Sequence, residues 1–145
     1  MSLAYLDTSV LVAFYVPETF SAVAERRVRK ATARAISDLT VVELAAALAR
    51  KVCGGVLAPS AARRVQTLFR EQVAEGYYSH IPLARRHYDA AAELAMRTAA
   101  GQPVRSLDAI HAAVAMVHGL VLVTADKRLA SVAQAFGLEV DLVEA

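Results

Sequence analysis

Five short runs rich in Val, Leu, Ile and Ala, at residues 3–6, 33–37, 78–83, 120–124 and 138–143, alternate with longer stretches whose apolar positions recur every three or four residues. The short runs have strand length and composition, and the longer stretches have the period of helices packed on one side. Helices are predicted over about 19–31, 39–53, 59–76, 84–100, 106–118 and 127–136. In the second, Val42, Leu44, Ala45, Leu48, Ala49 and Val52 form one apolar stripe that stops at Gly54-Gly55. Strands separated by helices of this length require crossover connections, which are right-handed and make the strands parallel. The class is therefore α/β, a three-layer α/β/α sandwich with a mostly parallel five-stranded sheet. With no repeat, low-complexity tract or long linker, residues 1–145 read as one domain, and "KVCGGVLAPS" reads as a helix-to-helix turn.

Composition supports a packed core, since 57% of residues are hydrophobic and 21% charged. The lone cysteine, Cys53, has no internal partner, and no basic and apolar leader is visible, so a reducing cytoplasmic setting is expected. The apolar runs fall short of the ~20 residues that a spanning helix needs, so no membrane association is expected. A net charge of +2 predicts no strong pull toward nucleic acid. The arginine pairs at 26–27, 63–64 and 85–86 suit phosphate or carboxylate but also fit solvated helix faces. The apolar residues Val10, Phe14, Tyr15 and Val16 are expected in the core, with an extension into a subunit interface as the alternative.

Candidate chemistry enters with four acids. Parallel sheets place ligand sites at the carboxyl ends of their strands. Asp7 directly follows the first strand, Asp126 follows "LVLVTA", and Glu43 and Asp108 lie in the first turns of helices facing the same edge. Each has a local alternative. Asp7 and Asp126 could cap the helices that follow them, Asp108 could complement a helix dipole behind a Ser106 cap, and "TVVE" has the spacing of a capping box from Thr40 to Glu43. Four caps need not all be acids at one sheet edge, however. Two like charges about 5 Å apart repel by roughly 3 kcal/mol at an effective dielectric near 20, so such a cluster calls for a cation. Carboxylate oxygens without Cys or paired His suit Mg²⁺ or Mn²⁺. Metal ions held this way activate water and steady charge on a phosphodiester.

The fragments "YLDTSVLVAFYVPE", "ISDLTVVELAAAL", "RSLDAIHAAVA" and "LVTADKRL", in this order, resemble the PIN-domain family of metal-dependent ribonucleases, and among these the VapC-type toxins of prokaryotic toxin–antitoxin modules. The resemblance implies a parallel five-stranded sheet between helices and a divalent-metal-dependent endoribonuclease using water as nucleophile. It places Asp7, Asp108 and Asp126 as principal Mg²⁺ or Mn²⁺ ligands and Glu43 at a second ion, a metal-bound water or a proton transfer. Ser9 and Thr124 would support the carboxylates through hydrogen bonds. The partners it implies are an RNA substrate and a VapB-like antitoxin whose C-terminal segment blocks the acidic groove, on a toxin homodimer, with an antitoxin arginine competing for the acids. Lys127 and Arg128 stand where some members carry a further acid, which bears on a second metal site.

His111, one helical turn beyond Asp108, is expected to be buried and hydrogen-bonded rather than a ligand. His80, His87 and His118 carry no readable signal. Two rival readings stand beside the nuclease. A receiver-type phosphoacceptor domain fits poorly, because "RAIS" runs into Asp38 at a helix start and no lysine sits suitably after the last strand. A catalytically silent PIN-like module binding RNA or protein conflicts with retention of all four acids.

Overall fold

The computed structural model describes residues 3–144. Its sheet has five strands, β1 (Leu3–Leu6), β2 (Ala33–Ser37), β3 (Ser79–Ile81), β4 (Val121–Thr124) and β5 (Val140–Leu142), in the order β3-β2-β1-β4-β5. Every pairing is parallel, with Leu6 opposite Val123 and Ile36 opposite His80. The helices are α1 (Thr8–Tyr15), α2 (Ser21–Lys30), α3 (Asp38–Cys53), α4 (Pro59–Ala74), α5 (Arg85–Arg97), α6 (Ser106–Val117) and α7 (Lys127–Ala135).

Alternation along the strands builds two cores. Ala4, Leu6, Ile36 and Val123 face one layer, where they meet Val10 and Leu11 of α1, Ala24 and Val28 of α2, Leu44 and Leu48 of α3, and Phe69 of α4. Tyr5, Ala35 and Leu122 face the other, against Val114 and Ala115 of α6 and Leu129 and Ala133 of α7. Helix α5 docks outside α6, with Ala91 and Leu94 against Ala109, Ala112 and Ala113; small side chains on α6 permit this close approach.

The three-layer α/β/α arrangement and the all-parallel sheet agree with the sequence reading. Four local features differ. Helix α1 was read only as a capping alternative, because its eight residues are apolar on nearly every side and show no helical stripe. Strands β3 and β5 are three residues each rather than six, since edge strands pair on one side only. The helix expected over 84–100 ends at Arg97 and continues as a single 3-10 turn, Thr98–Ala100. Helix α2 begins at Ser21, after Ser21 Oγ accepts the Glu18 N–H.

Two glycines set the entries to β4 and β5. Gly119 and Gly137 have φ of 63° and 85°, a region costly for other residues. The turns close through Leu120 N–H to Ala115 O and Leu138 N–H to Ala133 O. Strand order reverses about β1, whose neighbours β2 and β4 are reached in opposite directions. The carboxyl ends of β1 and β4 thus open a crevice at a topological switch point.

Candidate metal centre

Asp7 leaves β1 with its N–H bonded to Val123 O at 2.9 Å, which fixes it beside Thr124. It holds the N-cap position of α1, yet its side chain makes no capping bond. Its Oδ2 instead accepts the hydroxyls of Ser9 at 2.6 Å and Thr124 at 2.8 Å. Those same hydroxyls accept the N–H groups of Ala125 and Asp126, both at 3.0 Å. The turn carrying Asp126 is therefore pinned to the Asp7 carboxylate through two hydroxyl oxygens. Asp7 is only 5% exposed, so its charge is held in place by the fold rather than by water.

Asp126 is the one acid whose capping alternative holds. Its Oδ1 accepts the N–H groups of Arg128 and Leu129 at 2.9 and 3.2 Å, which leaves Oδ2 directed elsewhere. Helix α3 is capped differently from the sequence expectation. Ser37 caps it, and Thr40 Oγ1 accepts the Ser37 N–H in return, so Glu43 is not used in a capping box. The Glu43 carboxylate reaches the crevice, where Oε1 accepts the Thr8 hydroxyl at 2.7 Å. Arg105, not Ser106, holds the N-cap position of α6, and Asp108 lies in the first turn.

All four acids line one groove of about 760 Å³, with Val12, Phe20, Leu39, Val42 and Leu107 along its walls. Within it they divide into two pairs, each with a basic partner from the chain, His111 for one and Arg105 for the other. His111, 1% exposed, places Nε2 at 2.5 Å from Glu43 Oε1 and 3.6 Å from Asp7 Oδ1. Burial alone would depress the imidazole, but the Glu43 hydrogen bond and the charges of Asp7, Glu43 and Asp108 outweigh it and raise its pKa above the usual value. Burial would likewise raise Glu43, whereas His111 and the Thr8 hydroxyl pull it below its ordinary value.

Behind the imidazole, Nδ1 lies 2.7 Å from the Tyr5 hydroxyl, which lies 2.8 Å from Ser37 Oγ. With both imidazole nitrogens protonated, the chain runs in one direction, from Nδ1–H to the phenol oxygen and from the phenol proton to Ser37. Burial drives Tyr5 upward, so it remains a neutral donor.

The second pair is Asp108 and Asp126. Arg105 donates to Asp108 Oδ2 from Nε at 2.9 Å and to Asp126 Oδ2 from a terminal nitrogen at 3.4 Å. Burial raises the Asp108 carboxyl above its usual range, while the Arg105 guanidinium opposes that rise.

His111 is buried and hydrogen-bonded as expected, and it also faces the acids. Asp7, Glu43 and His111 offer donor atoms within 4.8 Å of one another, a grouping that the sequence reading did not make. Asp108 and Asp126 fall outside that grouping. Carboxylate oxygens suit a hard divalent cation such as Mg²⁺ or Mn²⁺, and the imidazole, which could ligate only after giving up its Nε2 proton, serves beside them as a partner of Glu43. The residues present therefore fit such an ion. Arg105, Thr8 and Tyr5 were not singled out from sequence. Of these only Arg105 leaves a local trace, an i, i+3 pairing with Asp108.

The PIN domain family model matches residues 4–135. Among solved structures, DNA-bound VapBC from Salmonella typhimurium is similar at a TM-score of 0.73 and 18% identity, covering 99% of this chain and 100% of that chain. VapBC2 from Rickettsia felis, bound to a promoter DNA fragment, gives 0.69 and 15% over 98% and 99% of the two chains. A Mycobacterium tuberculosis VapC toxin that cleaves the sarcin-ricin loop gives 0.64 and 17% over 82% and 86%. No curated protein matches the chain. At such identities the structural likeness establishes the fold, an all-parallel sheet with its crevice between β1 and β4, and the family match extends over most of the same residues; the chain belongs to the PIN domain family.

Proposed function

We propose that the protein is a divalent-metal-dependent endoribonuclease and the toxin of a VapBC-like type II toxin–antitoxin module. The observation that carries this reading is the convergence of Asp7, Glu43, Asp108 and Asp126 on one groove at the switch point of the sheet. Bound there, Mg²⁺ or Mn²⁺ would supply an activated water and stabilise charge on the scissile phosphate. Asp7, Asp108 and Asp126 would hold the cation, and Ser9 and Thr124 fix the Asp7 carboxylate by donating to Oδ2. Glu43, positioned by Thr8 and His111, is the acid best placed to orient the attacking water and take its proton. The walls of the groove, apolar at Val12, Phe20 and Leu107 and basic at Arg50, accept the flanks of the substrate.

The partner in this reading is a VapB-like antitoxin whose C-terminal segment fills the groove, two antitoxin chains meeting a toxin homodimer in the cytoplasm. The complexes among the structural neighbours support it. No helix among the described residues is long and apolar enough to cross a membrane.

The test is cleavage of a mixed, structured RNA pool in Mg²⁺, Mn²⁺ or EDTA by the wild type, Asp7→Asn and Asp108→Asn. Metal-dependent cutting that falls by orders of magnitude in both variants is the expected result. Absence of cutting together with absence of Mn²⁺ binding would overturn it.

A further inference from the structure

Arg105 borders two cavities. One is the acidic groove, and the other is a cavity of about 290 Å³ whose nine lining residues include the polar side chains of Gln102, Arg105, Asp108, Lys127, Arg128 and Ser131, with apolar Pro103, Val104 and Val132 between them. Three of the six polar side chains are cationic and one, Asp108, is acidic. The Arg128 side chain makes no hydrogen bond or ion pair among the described residues, and the Lys127 ammonium meets only Glu144, at 4.0 Å with both groups largely exposed. Gln102 and Ser131 add uncharged donors. The chemistry of these donors fits a phosphodiester, which accepts from arginine, lysine, amide and hydroxyl at once. Arg105 itself is 56% exposed and tethered to Asp108 and Asp126 through its head group alone.

We propose that this second cavity is a subsite for a backbone phosphate of RNA, and that Arg105 turns into it when a divalent cation takes Asp108 and Asp126. The inference rests on the nuclease reading for its substrate. Arg105 neutralises the acid pair that the cation would need, so cation and guanidinium compete for the same oxygens. Once displaced, the guanidinium joins Lys127 and Arg128 around the phosphate next to the one being cut. The groove floor then carries the metal, and the adjoining cavity carries the strand.

The experiment has two arms on the purified protein. In the first, Mn²⁺ is titrated calorimetrically into the wild type and Arg105→Gln without RNA. An exposed ion pair is worth little, so removing the competitor should tighten Mn²⁺ binding by about three- to tenfold. Equal or weaker binding, with the fold intact by circular dichroism, would overturn the displacement.

In the second arm, a fluorescein-labelled RNA oligonucleotide is bound in EDTA across a salt series. The double variant Lys127→Gln/Arg128→Gln should bind about tenfold more weakly, with a log–log salt slope smaller by roughly 1. The control Arg63→Gln/Arg64→Gln, which alters α4 beside other cavities, should stay within twofold of wild type. Equal losses in both doubles, or none in the first, would overturn the subsite. A wild type that binds RNA at this cavity but neither binds Mn²⁺ nor cuts RNA would overturn the nuclease reading and the displacement while the phosphate subsite stands. One that cuts RNA and shows neither variant effect would overturn this inference alone.

Discussion

Hydroxyl and imidazole groups around Asp7 determine how the acids coexist. Read from the sequence, the carboxylates are unscreened, and on that basis alone Asp7→Asn would be expected to stabilise the chain in EDTA by relieving repulsion. The structure supplies His111 at 3.6 Å and hydroxyl donors from Ser9 and Thr124, which offset part of that repulsion by stabilising the Asp7 carboxylate. Asp7→Asn should abolish cleavage while leaving the melting temperature in EDTA unchanged or lowered by a few degrees; a clear rise would show that repulsion dominates. Tyr5→Phe should destabilise by about 1–3 kcal/mol in denaturant titrations, because it strands buried groups on His111 and Ser37.

The pH dependence belongs at the same scale. His111 is raised above 6.5, so its stabilisation is complete below about pH 6.5 and is lost as pH rises through the folded value. Glu43 is lowered from 4.5, so its contribution is present above about pH 4.5 and is lost as pH falls through the folded value. The pair is thus strongest between these limits. In EDTA the melting temperature of the wild type should fall relative to His111→Gln as pH is raised from 6.5 toward 9. Parallel curves would show that the imidazole carries no charge in the folded state.

At the scale of elements, caps and apolar stripes show which parts of the chain were legible. The α3 stripe and its glycine stop are legible in part: Leu44 and Leu48 are buried as expected, but Val42 and Ala49, read on the same stripe, are exposed, Val42 because it lines the open acidic groove instead of the core. Helix α1 is not legible, because Val10, Leu11, Val12 and Ala13 are all buried and hydrophobic periodicity disappears when a helix is enclosed. The start of α5 depends on His87, which carried no readable signal. Ala84 has no side-chain acceptor, and His87 Nδ1 alone takes the Ala84 N–H, at 2.9 Å. His87 Nε2 then donates to Nε2 of His118, at 2.9 Å, beyond the end of α6. His87→Ala should cost about 2–4 kcal/mol from the lost bonds and the buried volume, read as a shifted denaturation midpoint.

The whole molecule couples its site to its stability through metal binding. A cation that binds only the folded chain stabilises it by about 2.7 kcal/mol at a hundred times its dissociation constant. For a chain near this size, the melting temperature should rise by roughly 5–10 °C on adding saturating Mn²⁺. The rise should disappear in Asp7→Asn, and an unchanged melting temperature in the wild type would show that the groove takes no metal. Because the acids come from the ends of β1 and β4 and the starts of α3 and α6, this stabilisation should resist local unfolding of all four.

By itself, the sequence determined the alternation of strands and helices, the parallel sheet, and the four acids at its carboxyl edge. These follow from hydrophobic period, connection length and motif order, which are properties of neighbours along the chain. Only the tertiary structure decided which charges meet. That Glu43 pairs with His111, 68 residues away, and that Arg105 bridges Asp108 to Asp126, 21 residues away, depends on helix rotation and side-chain reach across the crevice. It likewise decided that Thr124, 117 residues from Asp7, orients that carboxylate rather than a cap of α1. A local pattern fixes which face of an element is buried; the partner of a polar group at its end is set by the elements that the fold brings opposite.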